Sequence, residues 1–445
     1  MGGDWLGMTA SDLGRGIGAG RVDPVALTEA FLDAARQHPH ADRIYARLTP
    51  ERALAEARAA RDRARLGLRR GLLDGVPLSW KDLFDTAGVA TEAGSALLAG
   101  RTPDRDAEVL VNASLAGSVC LGKTHLSELA FSGLGLNPVT ATSPCIHDAE
   151  AVAGGSSSGA AASVAFGLAP CAIGSDTGGS VRIPAAWNDL VGLKTTLGRL
   201  PMAGTVALCE RFDTIGPLAR STEDAAEVLA LLEGKRAADL SGATLSGARL
   251  LVLETLALDD LRPGPARGFD RALDRFAAAG AHLTRGAVPE VAEAMALAPV
   301  LFAAEAYGLW RDVIEAQPER MYPPILERFR GGAAFSGADY VAGWKTMARL
   351  RQRWSEIAAD YDAVVLPTAP TTPPKIERLL RDPDYYVAEN LLALRNTRIA
   401  NLFGLSALTL PTGEPSAGVM LMGAPLGEER LLRLGAAAER ALGRG

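Results

Sequence analysis

The stretch GGSSSGAAASVAFGLAPCAIGSDTGGSVRIP, residues 154–184, decides the fold. It is as rich in glycine and serine as a flexible linker, but apolar segments such as ASVAF (162–166) and CAI (171–173) run through it. Small side chains among apolar ones let backbone segments approach closely. We therefore expect this stretch to lie inside the fold, with its glycines and serines at tight turns between buried elements.

Short apolar runs alternate with helical patterns on either side of this stretch. GVPLSWKDLF (75–84) and SVCLGKTH (118–125) have the composition of strands, whereas DAEVLVNASLAG (106–117) has helical spacing. The first 70 residues read as helices, among them VDPVALTEAFLDAARQ (22–37). Strands that alternate with helices predict an α/β fold built on one sheet.

Composition and charge exclude several classes of protein. The chain has 445 residues, 48% apolar and 22% charged, which is typical of a globular protein and not of a disordered one. Its net charge of −6 offers no basic excess to phosphates, so we expect no direct nucleic acid partner. The longest apolar stretch, 159–174, is shorter than a membrane-spanning helix, so we expect no membrane span. The N-terminus has no secretory pattern, which predicts a cytoplasmic protein.

The four cysteines do not form a recognisable metal or disulfide pattern. Their spacing matches neither a zinc-ligand set nor a dense disulfide framework, so we expect buried, unreactive thiols and no metal site. They are Cys120, Cys145, Cys171 and Cys209.

One motif matches a nucleotide-binding pattern. Residues 117–124, GSVCLGKT, fit the phosphate-loop pattern GxxxxGK[ST]. A phosphate loop follows a strand, but the residues before Gly117 have a helical pattern, and Val119 to Leu121 would put a strand inside the loop. We therefore expect a helix, a strand and a second helix here, with Gly117 ending the first helix.

A second motif, residues 155–159, fits the GxSxG pattern of α/β-hydrolases and would make Ser157 the nucleophile. That chemistry needs a histidine later in the chain, and of the five histidines only His282 follows. His282 lies in AAGAHLTRG (278–286), a pattern typical of a turn from a helix into a strand. This alternative predicts that Ser157 is acylated and that His282 is essential.

A third pattern combines Lys81 in GVPLSWKD, the serine run 156–158 and Ser180 in GSDTGGS. Lys81 follows an apolar run, so we expect it to be buried. Burial lowers the pKa of a lysine because it disfavours the charged form, and a neutral amine can act as a general base.

The glycines before Ser180 also suit catalysis. The backbone N–H groups of Thr177, Gly178 and Gly179 could face a developing oxyanion with little obstruction from side chains. A hydroxyl beside such donors can attack a carbonyl carbon. An isolated GGS sequence would indicate only a tight turn. Because Lys81, the serine run and Ser180 occur together, they indicate acyl-transfer chemistry.

These residues resemble the amidase signature family of serine hydrolases. The resemblance runs almost from end to end of residues 154–201, including the 24-residue step from Ser156 to Ser180, and extends to residues 75–95 and 401–413. It implies one α/β domain over residues 1–445, with a mixed, twisted sheet covered by helices on both faces. The implied regions are an N-terminal helical layer (about 1–70), a catalytic core (about 71–220), a variable substrate-shaping region (about 221–400) and a C-terminal return to the core (about 401–445).

The resemblance implies a catalytic triad with Ser180 as nucleophile, Ser156 as bridge and Lys81 as base. In the family a cis peptide bond precedes the bridging serine, here between Gly155 and Ser156. The implied oxyanion hole is formed by Thr177, Gly178, Gly179 and Ser180. Asp176 and Arg182 would support the nucleophile loop, and Ser157 would hydrogen-bond near the lysine.

The implied function is hydrolysis of a carboxamide C–N bond through a seryl acyl-enzyme, without cofactor or metal. The substrate would be a small soluble amide, ureide or aryl amide, and a homodimer is plausible by resemblance. One alternative is the glutaminase subunit of a tRNA-dependent amidotransferase, which needs a partner subunit. Another is a non-catalytic relative that binds a small amide. Arg211, Arg330 and Arg395 are candidates to clamp a carboxylated substrate.

Overall fold

The structure is a computed structural model that describes residues 5–443. Within this range the chain forms thirteen strands, eleven of which make one sheet and two a separate hairpin. The strands are β1 (Tyr45–Leu48), β2 (Pro77–Lys81), β3 (Val119–Thr124), β4 (Pro144–Cys145), β5 (Asp148–Val152), β6 (Cys171–Asp176), β7 (Val191–Lys194), β8 (Thr214–Ala219), β9 (Arg249–Leu253), β10 (His282–Gly286), β11 (Ala363–Pro367), β12 (Ser406–Pro411) and β13 (Gly418–Gly423).

Sixteen α-helices are found in the same described range, joined by short 3-10 turns and one π-helical turn, Pro299–Ala303. The helices are α1 (Ala10–Gly18), α2 (Pro24–Gln37), α3 (Ala41–Ile44), α4 (Pro50–Arg65), α5 (Glu108–Leu115), α6 (Ser158–Ala165), α7 (Arg182–Trp187), α8 (Thr222–Glu233), α9 (Pro263–Ala278), α10 (Pro289–Ala296), α11 (Ala304–Ala316), α12 (Pro323–Arg330), α13 (Gly337–Ala358), α14 (Ile376–Arg381), α15 (Pro383–Phe403) and α16 (Glu428–Ala441).

The large sheet is mixed, as expected. Its strand order is β1-β3-β2-β6-β8-β7-β12-β13-β11-β9-β10. β2 runs parallel to both of its neighbours, β3 and β6, whereas β8, β7, β12 and β13 are joined by antiparallel pairs. The central strands are buried at every position, which requires cover on both faces of the sheet. The expected α/β domain with helices on both faces is confirmed.

The N-terminal region differs from the expected helical layer by one strand. Helices α2 and α4 form in this region as expected, but β1 lies between them and pairs antiparallel with β3 at the edge of the sheet. β1 is only four residues long and mostly half-buried, so its sequence carries little strand signal. It is a strand because β3 provides an unpaired edge beside it.

The phosphate-loop pattern does not form a phosphate loop. Residues 108–115 form α5, Gly117 follows it with a φ of +94°, and residues 119–124 form the buried strand β3. Lys123 is therefore fixed in a strand, where its Nζ contacts Asp82 at 3.1 Å. The predicted helix and strand are confirmed; the second helix is wrong, because only a 3-10 turn, Glu128–Ala130, follows.

One helical run departs from the expectation of no membrane span. Pro289–Ala316, which comprises α10, the π-helical turn and α11, is long and apolar enough to cross a membrane, with a mean hydropathy of 1.3 over its most apolar window. The uninterrupted apolar stretch in this run, residues 294–304, is too short to span a membrane because Glu293 and Glu305 lie on either side of it. Length and composition of this kind are also found in core helices of soluble proteins, and Leu301 and Ile314 of this run are fully buried.

Candidate active site

The topology brings the end of β2 next to the end of β6. These strands are parallel neighbours, with Trp80 opposite Ile173, so their carboxyl ends lie at the same edge of the sheet. Lys81 is the last residue of β2, and the segment after β6 contains Ser180. The turn between β5 and α6 contains Ser156. Strand ends of this kind are where α/β proteins place their sites.

Lys81 contacts two serine hydroxyls. Its Nζ donates hydrogen bonds to Ser156 Oγ at 2.7 Å and to Ser175 Oγ at 2.8 Å. The peptide bond between Gly155 and Ser156 is cis, as the resemblance implied. Lys81 and Ser156 are fully buried, and within the described range Lys81 forms no ion pair. The lysine is therefore connected to hydroxyls and not to a carboxylate that would keep it charged.

Burial changes the protonation of this lysine. Loss of hydration lowers the pKa of Lys81 to about 7, although the negative charges of Asp176 and Asp213 oppose the change. Burial also lowers the pKa of Lys194 to about 7, but its Nζ donates to the backbone carbonyls of Thr195 and Leu405. Carbonyl oxygens have no proton to give, so of these two lysines Lys81 is the one placed to exchange a proton with a neighbouring group. Buried Lys123 also contacts a hydroxyl, that of Thr91, but it is paired with Asp82, which favours its charged form.

Ser180 faces a pocket and its hydroxyl has no hydrogen-bond partner among the described residues. Its carbonyl accepts a hydrogen bond from Ser157 N–H at 3.2 Å, which ties the Ser180 loop to the serine run. Its hydroxyl is not hydrogen-bonded to Ser156 in this structure. Catalytic hydrogen bonds often form only once a substrate is bound.

The expected oxyanion donors divide into two groups. Gly179 N–H donates to Asp176 Oδ1 at 2.9 Å, so this donor is already occupied, which departs from the expectation. Gly179 instead allows the shape of the loop, because its φ is +139° and a Cβ there would lie 2.1 Å from Thr397 Oγ1. Thr177, Gly178 and Ser180 line the pocket, and their N–H groups have no partner in the part of the chain that the structure describes.

Asp176 and Arg182 form a buried ion pair that supports this loop. Both are fully buried, with Nη2 to Oδ1 at 2.8 Å and Nε to Oδ2 at 3.0 Å. Asp176 also accepts from Val181 N–H, and Arg182 donates to Asn401 Oδ1 at 2.6 Å. Burial would raise the pKa of Asp176, but the Arg182 guanidinium holds it well below its usual range. The pair therefore connects both ends of the Ser180 loop to α15.

The structure gives no support to Ser157 as a nucleophile. Its Oγ donates to the carbonyl of Ser175 at 3.2 Å, and Ser157 immediately precedes the first residue of α6. His282 is exposed on β10, the edge strand of the sheet, whereas α6 packs against β2 and β6 near the other end. A histidine so placed cannot serve as the base for Ser157.

The pocket in front of Ser180 is narrow, with a cavity volume of about 30 Å³. Two arginines, Arg328 of α12 and Arg398 of α15, are part of its wall. The three arginines named from the sequence lie elsewhere: Arg211 is exposed, Arg330 is paired with Glu315, and Arg395 donates to the Asp259 carbonyl. The full lining is Ala130, Phe131, Ser132, Thr177, Gly178, Ser180, Leu208, Phe302, Arg328, Leu394 and Arg398.

Sequence reasoning missed several residues of the site. Ser175 had a usable signal, because it is a polar residue next to the end of an apolar strand. Asp213, which accepts from Thr177 Oγ1 at 2.5 Å and from two backbone N–H groups, had none. Asn401 and the two pocket arginines also had no sequence signal, because they are far from Ser180 along the chain.

Comparison with known proteins shows the family of this chain. Residues 26–432 match the family model described as Amidase. The chain is 34% identical to 2-amino-5-chloromuconic acid deaminase of Comamonas testosteroni, with 98% of each chain covered. It is 30% identical to a glutamyl-tRNA(Gln) amidotransferase subunit of Chloroflexus aggregans, over 97% of this chain and 96% of that one.

Solved structures have the same fold. A protein from a vestigial complex, described as revealing the origins of an s-triazine catabolic enzyme, superposes with a TM-score of 0.88 at 27% identity, covering 98% of this chain and 99% of the other. The chain belongs to the amidase family. It is accordingly a hydrolase that acts on carbon–nitrogen bonds.

Proposed function

We propose that this protein hydrolyses a small amide through an acyl-enzyme on Ser180, with Ser156 as the proton bridge and Lys81 as the base. The single observation that carries the proposal is the environment of Lys81. It is a fully buried lysine whose Nζ contacts two serine hydroxyls, with no ion pair within the described range. A structural lysine needs only acceptors, whereas a base needs groups with which it can exchange a proton.

The proposed steps balance with water as the second substrate. Neutral Lys81 takes a proton from Ser156 while Ser156 takes one from Ser180, and the Ser180 oxygen attacks the amide carbon. The N–H groups of Thr177, Gly178 and Ser180 stabilise the oxyanion. Return of the proton to the leaving nitrogen breaks the C–N bond and leaves an ester on Ser180. Water then attacks the ester by the same route and releases the acid.

Active-site labelling tests the nucleophile. A fluorophosphonate should modify Ser180, located by peptide mass spectrometry, because its hydroxyl faces the pocket beside unoccupied N–H donors. Labelling should disappear in Ser180→Ala and persist in Ser157→Ala. Modification of Ser157, or loss of labelling in a His282→Ala variant, would instead support the α/β-hydrolase mechanism.

The pH dependence tests the base. Because burial lowers the pKa of Lys81 to about 7, the amine is charged below that pH and cannot accept a proton. We expect kcat/KM for a neutral amide to rise about tenfold per pH unit below pH 7 and to level off above it. A flat profile between about pH 5.5 and 8.5, with the fold intact by circular dichroism, would contradict the assignment of Lys81.

The similarity to an amidotransferase protein supports a second candidate, in which the chain releases ammonia from glutamine for a partner subunit. The two functions differ in what the purified chain does alone. A free-standing amidase turns over small amides without a partner. An amidotransferase component would be weakly active alone and would co-purify with a second protein. A homodimer stays a prediction from resemblance.

A further inference from the structure

Two positive charges face the pocket of Ser180, and no residue in the range 5–443 supplies a negative partner. Arg328 and Arg398 are partly buried, and neither guanidinium forms an ion pair or a hydrogen bond with any described residue. The Nη1 atom of Arg328 is fully buried and has no acceptor within the described range. Arg398 reaches the nucleophile loop, since its Nε lies 4.0 Å from the point where a Cβ on Gly178 would stand.

An aromatic ring lies beside each of the two guanidinium groups. The Cζ of Arg328 lies 4.4 Å from the centre of the Phe131 ring, and the Cζ of Arg398 lies 5.7 Å from the centre of the Phe302 ring. Phe131 packs against Phe329. A ring at this distance attracts a guanidinium through its π electrons and leaves the N–H groups available for a planar acceptor such as a carboxylate.

The acidic side chains around the pocket are engaged with other donors. Glu128 accepts from Ser95 Oγ at 2.7 Å and from Tyr322 N–H at 2.9 Å. Asp213 is likewise held by Thr177 and by backbone N–H groups. Arg182 differs from Arg328 and Arg398. It is also buried near Ser180, but it forms an ion pair with the carboxylate of Asp176.

Two unpaired charges in one pocket are unfavourable without a ligand. Burial lowers the pKa of Arg328 to about 10; burial and the nearby charge of Arg328 lower that of Arg398 to about 9. A guanidinium nevertheless stays charged at neutral pH. Charges withdrawn from water are stabilised by an opposite charge with good hydrogen-bond geometry. An anionic group that enters this pocket would supply the opposite charge.

We infer that the substrate is a small amide carrying a carboxylate, which Arg328 and Arg398 bind while the amide carbon lies at Ser180. This inference rests on the proposed function, because it places the scissile amide at the proposed nucleophile. The narrow pocket limits the substrate to a small molecule. Half-amides of short dicarboxylic acids have the required groups: one amide, one carboxylate and few carbon atoms between them.

Binding to the Ser180→Ala variant tests the inference without turnover. Isothermal titration calorimetry would compare malonamate, succinamate and glutaramate with their neutral counterparts of similar size, propionamide, butyramide and pentanamide. We expect at least one carboxylated amide to bind at least about tenfold more tightly than its counterpart, since charge-assisted hydrogen bonds are stronger than neutral ones. This comparison uses one protein and does not depend on how any arginine variant folds.

Substitution of the arginines tests which side chains are responsible. Arg328→Gln and Arg398→Gln, each combined with Ser180→Ala, should weaken binding of the preferred carboxylated amide about 10- to 100-fold. The matched controls are Arg330→Gln, two residues from Arg328 and paired with Glu315, and Arg395→Gln, three residues before Arg398. Both controls should bind the same amide within about twofold of the parent.

The outcomes separate this inference from the proposed function. Equal binding of charged and neutral amides, no binding of any of the three carboxylated amides, or equal losses in the control variants would overturn it. Failure of the proposed function would appear differently, as absence of the Ser180 label and of amide turnover in the unmodified protein. Turnover of neutral amides with no preference for the carboxylated ones would overturn only the inference.

Discussion

Lys81→Ala is expected to lower kcat for amide hydrolysis by about 10² to 10⁴-fold, the range typical of the loss of a general base. The structure gives Lys81 Nζ hydrogen bonds to Ser156 and Ser175, and no described group nearby is placed to replace it as a base. Without the amine, the proton of Ser180 has no acceptor at the end of the relay. Steady-state kinetics with a small amide would measure the loss.

Two further variants separate a chemical effect from a packing effect. Lys81→Met retains most of the side-chain volume but cannot accept a proton, so it should be as inactive as Lys81→Ala while unfolding closer to the parent. Lys235→Ala removes an exposed lysine and should leave kcat within about twofold. Activity of Lys81→Met above about a tenth of the parent value would mean that another group is the base.

Asp176→Asn is expected to lower the free energy of unfolding by about 3–5 kcal/mol, the cost typical of breaking a buried ion pair from one side. The fully buried Arg182 would lose its carboxylate, and the new amide group would place N–H donors against an N–H donor. Gly179 and Val181 would also lose the charged acceptor that holds them. Equilibrium unfolding in urea, followed by circular dichroism, would measure the change.

An exposed ion pair provides the control for this substitution. Glu377 and Arg381 lie four residues apart on α14, with side chains 84% and 74% exposed, so Glu377→Gln should change the free energy of unfolding by less than about 0.5 kcal/mol. If Asp176→Asn cost no more than this control, the buried pair would not be what holds the nucleophile loop.

The residues of the proposed triad were accessible from the sequence because their signals are local. Lys81 follows an apolar run, and such a run predicts both a buried strand and a buried lysine at its end. Ser156 and Ser180 lie in a glycine-rich stretch that predicts tight turns, and the resemblance to the amidase signature family implied their roles. The prediction of helix α2 rests on the same local information, because the helical spacing of its apolar residues suffices to specify it.

Other parts of the site depend on contacts that no local pattern encodes. Ser175 becomes a partner of Lys81 only because β2 and β6 are neighbours in the sheet. Asn401 contacts the Asp176 and Arg182 pair across more than 200 residues of chain, through the packing of α15 against α7. Strand β1 exists because β3 has an edge to which it can pair.

The arginines show most clearly where local information ends. Arg328 and Arg330 lie in the same turn of α12 and have the same side chain, so nothing in their neighbourhood along the chain distinguishes them. A helix turns by about 100° per residue, so the two side chains point in directions about 200° apart. The packing of α12 directs Arg328 to the Ser180 pocket and Arg330 to an exposed pair with Glu315. The sequence by itself therefore indicated the residues around Ser180. The position of Arg328, and with it the positive charge proposed to bind the substrate, is decided by which face of α12 packs inward.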